Sequence, residues 1–196
     1  MELGQLPQKT STPEALGAVH YIADFADLNS VRTLATQLKN SYPKIDVLIN
    51  NAGGLFGERA LTVDGHERTF QVNHLAPFLL TNELIEPLLK AKRSLLILLV
   101  PPTGFFGELD INDLELTKGF TANRAYGNSK LAKLLLGTPE KGAEPLVWLA
   151  TSMPGTDWES GAYYEKHKLG KVHAVAAQPG IAKKLWEYSE AAVVSK

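Results

Sequence analysis

Apolar residues in this chain alternate between short unbroken runs and stretches where they recur every three or four positions. The first run, residues 18–25, is rich in β-formers and predicts a strand. Asp46-Val47-Leu48-Ile49-Asn50 and the aliphatic run 95–100 lack alternation, which predicts strands covered on both faces by helices, as in a parallel sheet. Helical periodicity fills the intervals. Val31, Leu34 and Leu38 predict a helix capped by Asn29 or Ser30 and ending within 40–43. Residues 66–92 predict a long helix with Asp64 and Glu67 as a capping box. Its inward set is Phe70, His74, Phe78, Ile85 and Leu89, and Pro77 should kink or divide it.

Pro101-Pro102-Thr103-Gly104 ends the third run, and 105–119 reads as an irregular loop. A helix carrying Tyr126 then continues to Leu136, and Thr138-Pro139-Glu140 starts another that leads to 146–150. A short strand at 161–164 and an amphipathic helix at 181–193, with Leu185 and Trp186, complete the pattern. Residues 1–17 form a polar lead-in, and 18–196 form one domain. Strands alternating with helices predict an α/β layered fold.

Composition changes this picture mainly by exclusion. A net charge of −1 over 196 residues gives no electrostatic footprint for nucleic acid. The chain has no cysteine, so disulfides and thiolate chemistry are out, and the five histidines show no ligand spacing, so no metal site is expected. No apolar run approaches the length of a membrane span, and the first residues lack the pattern of a cleaved signal, so a soluble cytoplasmic protein is expected.

The candidate chemistry lies at Ala125-Tyr126-Gly127-Asn128-Ser129-Lys130. On a helix, residues four apart share a face, so Tyr126 and Lys130 set a phenol beside an ammonium. A cation ~4 Å away at an effective dielectric of ~20 favours the phenolate by ~4 kcal/mol, which suits a general acid or base.

Four blocks in order resemble the short-chain dehydrogenase/reductase superfamily and, within it, the retinol-dehydrogenase-like branch. They are Asp27-Leu28, DVLINNAG from Asp46 to Gly53, FQVNH from Phe70 to His74, and YGNSK from Tyr126 to Lys130. The resemblance implies a Rossmann-like parallel sheet and an oxidoreductase that uses NAD or NADP on a small-molecule alcohol or carbonyl: a retinoid, a steroid or a small carbonyl. It implies Tyr126 as proton donor or acceptor, Lys130 as the group that holds the nicotinamide ribose and lowers the tyrosine pKa, and Asn73 as the keeper of a proton relay. Asp27, with Leu28, would meet the adenine, and Asn50, Ala52 and Gly53 would line the cofactor ribose. Ordinary helix and strand-end hydrogen bonding would also account for Asn73 and Asn50. In relatives the helices matching 75–90 and 122–136 build a dimer interface, so a homodimer or pairing with a full-length relative is implied.

The chain also departs from that pattern. No glycine-rich pyrophosphate turn precedes Asp27, and the first two strands have no counterpart, so the sheet is expected to be incomplete. Val100 and Pro101 stand where the family has a serine donor, with Thr103 nearby. The sixth strand and its Pro-Gly loop are either missing or displaced to 172–181. These departures support two other readings: a non-catalytic short form that pairs with a relative, and an unstable remnant.

Overall fold

The structure is a computed structural model that describes residues 18–91, 95–98, 110–129, 148–170 apart from 154, 161, 163 and 166, and 180–194. Helix α1 spans Leu28–Ser41, strand β1 Val47–Asn50 and the short helix α2 Arg68–Phe70. A π-helical turn, Gln71–Leu75, leads into α3, Ala76–Glu83, and α4, Ile85–Leu89. Strand β2 is Leu95–Leu98 and α5 Ala122–Ser129; β3, Tyr164–Glu165, β4, Lys168–Leu169, and α6, Ile181–Val193, follow. β1 and β2 pair in parallel, with Val47 opposite Leu95 and Asn50 opposite Leu98, while β3 and β4 form a separate antiparallel hairpin. Both parallel strands therefore end at the same edge.

The expected strand at 18–25 is not formed. Val19 and Ile22 face water, Ile22 by 91%, while Phe25 packs on the core, and no described strand lies beside the segment to complete a ladder. β1 is covered less fully than expected: Leu48 packs on the core but Ile49 is 39% exposed. The cap of α1 is Asp27, not Asn29 or Ser30; its carboxylate accepts the Asn29 N–H at 2.9 Å. Ser30 Oγ instead accepts the Asp24 N–H. The face of α1 carrying Leu28, Val31 and Ala35 packs on Leu79, Leu80, Leu84 and Leu88 to make the main core.

The predicted long helix is divided, and its two acidic residues do different work. Glu67 caps α2, accepting the Thr69 N–H at 2.9 Å and the Phe70 N–H at 2.7 Å. Asp64 turns to α1, taking the Leu28 N–H at 2.9 Å, and also accepts from Gln71 Nε2 at 2.7 Å. Because Glu67 is 1% exposed, Glu67→Ala would leave two buried donors unsatisfied. A loss of about 2 kcal/mol is expected, read from the urea midpoint at unchanged slope.

Pro77 does not break the helix; it sits in the first turn of α3, directly after the π turn. The break comes at Leu84 (φ −99°, ψ 7°), three residues before Pro87, whose ring would clash with the Glu83 carbonyl in a continuous helix. The extra residue of the π turn and this break re-phase the apolar stripe. Leu75, Leu79, Leu84 and Leu88 point inward, while Ile85 and Leu89, expected inside, are exposed, Leu89 by 74%. A second cluster, Phe70, Leu75 and Leu114, packs against Leu185, Ala192 and Val193 of α6, which forms where it was predicted.

The Trp148 ring meets those of Tyr164 and His167 in tilted contacts, and the observed strand, Tyr164–Glu165, shares only Tyr164 with the short strand expected at 161–164. The lead-in at 1–17, the strand end and turn at 99–104, the first part of the 105–119 loop, the helix continuation 131–136, the helix start at 138–140 and the segment 172–179 lie outside the described residues.

Candidate active site

The π turn sits at the centre of the site because its side chains leave in three directions. Gln71 Nε2 donates to Asp64 Oδ2 and to the Phe25 carbonyl, which ties the turn to the start of α1. His74 Nε2 lies 2.8 Å from Ser189 Oγ, which ties it to α6. Asn73, 7% exposed, faces the site. Its Oδ1 accepts the Gly54 N–H at 2.8 Å, and its Nδ2 donates to the Gly54 carbonyl and to Ser129 Oγ, each at 2.9 Å. Three of the sequence blocks are thereby joined: the loop after β1, the π turn and the Tyr126 helix. π turns of this kind often mark functional sites.

Gly54 is suited to its place. A Cβ there would come within 3.1 Å of the Phe56 ring, over which the Arg68 guanidinium lies at 4.4 Å. Asn51, Ala52 and Gly53 are exposed beside it at the carboxyl end of β1. In open parallel sheets, ligands bind at that edge. Asn50 donates from Nδ2 to Thr81 Oγ1 at 2.9 Å, which anchors the strand end to α3.

Tyr126 is half-buried on α5, and burial pushes its phenol above the usual 10.0. Lys130, the expected source of a shift in the opposite direction, lies outside the described residues, as do Val100, Pro101 and Thr103. Asp27 is the α1 cap, and Leu28 is a core residue whose N–H is held by Asp64. Sequence reasoning missed Gly54 and Ser129 as partners of Asn73, although both adjoin or lie within the blocks that carry the resemblance.

A second polar node ties α6 down. His66 Nδ1 is 2.6 Å from Glu115 Oε1, and Nε2 is 3.1 Å from the Ala192 carbonyl. Both partners are acceptors, so the geometry favours the doubly protonated, cationic imidazole. The Glu115 hydrogen bond raises the His66 pKa; burial opposes the charge on Glu115, but His66, Tyr188 and the Glu67 N–H together hold its carboxyl below the usual value. Arg32 donates to the Val193 carbonyl, so its guanidinium and the His66 ring both meet the carboxyl end of α6.

Residues 4–109 match the short chain dehydrogenase family. The chain belongs to that family. Within the superfamily it falls in the retinol-dehydrogenase-like branch: it is 30% identical over 219 residues to retinol dehydrogenase 14 of Mus musculus, covering 87% of this chain and 65% of that protein. It is 37% identical over 213 residues to a protein of Streptomyces sp. (strain C5) provisionally named daunorubicin C-13 ketoreductase DnrU, covering 87% of this chain and 73% of the relative. An uncharacterized Mycobacterium paratuberculosis protein of solved structure is similar in fold, with a TM-score of 0.65 at 24% identity over 87% of this chain and 74% of the other. The short chain dehydrogenase assignment and that likeness support an α/β fold. Among the described residues no helix is long and apolar enough to cross a membrane, and no cluster could hold a metal.

Proposed function

We propose that this short chain dehydrogenase interconverts an alcohol and a carbonyl with a nicotinamide cofactor. The observation that carries the reading is the Asn73 clamp, which brings the Gly54 loop against the helix bearing Tyr126. In this reading Tyr126 gives a proton to the substrate oxygen during reduction and takes it back during oxidation. Lys130 stabilises the phenolate and binds the nicotinamide ribose. Ala52 and Gly53, small and exposed, fit a flat sugar edge, with Asn50 anchoring the strand behind them. Asp27, at the α1 start, would meet the adenine, with Leu28 behind it fixing that turn in the core. The cofactor, NAD or NADP, supplies the hydride equivalent. The names of its relatives point to a retinoid or another alcohol or carbonyl as substrate.

Calorimetric titration with NADPH and with NADH is the test. Saturable heat with at least one of them is expected, and no heat from either at millimolar concentration would overturn the reading.

A second reading, a form that pairs through α4 with a second copy or a full-length relative, draws on the exposed Ile85 and Leu89 one turn apart on that helix. Light scattering that gives a monomer, alone and with the relative added, would sink it.

A further inference from the structure

We infer that Ser129 is a positioning residue that couples the Gly54 loop to the helical turn carrying Tyr126. The inference rests on the reading of Tyr126 as the proton-transfer group, but its geometry stands independently. Ser129 lies on α5 and is 6% exposed. Its hydroxyl accepts from Asn73 Nδ2 at 2.9 Å and donates to the Tyr126 carbonyl at 3.2 Å.

Both amide protons of Asn73 are committed on this path. One amide proton goes to the Gly54 carbonyl and the other to Ser129, while Oδ1 takes the Gly54 N–H. The Gly54 donor fixes the amide orientation, since a flip would set Nδ2 against an N–H. The backbones of residues 54 and 126 are therefore joined through two side chains, and each donor on the path has one acceptor. The bond from Ser129 back to the carbonyl three residues earlier fixes the direction of its hydroxyl and ties it to the helical turn that starts at Tyr126. Ser129 thus acts on the reacting group through Tyr126's own backbone, without touching substrate.

Hydrogen exchange of the Gly54 amide, followed by NMR in the chain without cofactor, tests this. Ser129→Ala strips an acceptor from Asn73 and should speed Gly54 exchange about tenfold, although the two residues share no bond. Ser129→Thr keeps the hydroxyl oxygen and should restore the wild-type rate. The buried Val31 amide of α1 should be unchanged in both variants. If the alanine variant does not fold, Ser129→Cys carries the same expectation, because it keeps the volume but offers only a weak acceptor. An unchanged Gly54 rate, an equal acceleration at Val31, or no rescue by threonine would overturn the coupling. Failure to bind either NADPH or NADH would overturn the oxidoreductase reading alone, since the exchange experiment uses no cofactor.

Discussion

On the proposed reading, replacing Tyr126 with phenylalanine is expected to lower nicotinamide-dependent carbonyl reduction by about 10²- to 10⁴-fold, the range a positioned acid–base group contributes. Folding stability should stay within about 1 kcal/mol, because one half-buried hydroxyl is all that is lost. Steady-state kcat and a matched unfolding curve make the measurement, and undiminished turnover would assign the proton to another group. The direction of the tyrosine's shift adds a sign. Burial favours the neutral phenol, so the group stands ready as a donor near neutral pH. Reduction should therefore run at neutral pH, while alcohol oxidation, which needs the phenolate, should rise as pH is raised.

The second large effect belongs to His74. Wedged between Phe70 and Phe78 and bonded to Ser189, its imidazole is pushed by burial from 6.5 down to about 4. A depressed folded pKa contributes stability that is complete above the unfolded value and is lost as pH falls toward the folded one. Between pH 6.5 and about 4 the chain should lose on the order of 3 kcal/mol from this residue. His66, raised by Glu115, has the opposite sign: its contribution is complete below 6.5 and is lost as pH rises through its higher folded value. Glu115, lowered, begins to count against stability only below 4.5. From pH 6.5 to 4.5 the His66–Glu115 pair therefore holds steady and the acid slope reports His74. Urea unfolding across that window should show the slope in the wild type and a nearly flat line in His74→Gln, whose amide can still meet Ser189. A variant with the wild-type slope would place the titration elsewhere.

What could be read from the sequence follows from what is local. Helices α1 and α6 and strands β1 and β2 form at their apolar periods and runs, because those patterns need only one face or a sheet interior to satisfy them. Asp27 took the cap that Asn29 and Ser30 were expected to hold. All three are competent, and the choice came from Asp64 reaching across to the Leu28 N–H, a contact 36 residues away in sequence. The 18–25 run has strand composition without a described neighbour, and composition alone cannot make a ladder. The site blocks were legible as motifs, but their connection was not. That Asn73 would grip Gly54 on both sides and reach Ser129 depends on a π turn, and no periodicity announces a π turn.

That turn also limits how the segment can vary in length. An ordinary α-helix would be locally more favourable across Gln71–Leu75, and removal of one residue would produce it. The cost would fall downstream, where α3 and α4 would rotate by about 100° relative to α1. Leu79, Leu84 and Leu88 would leave the core, and Gln71, Asn73 and His74 could no longer serve their three partners together. Relatives that keep this site should therefore tolerate substitutions in the segment more readily than a single-residue gap.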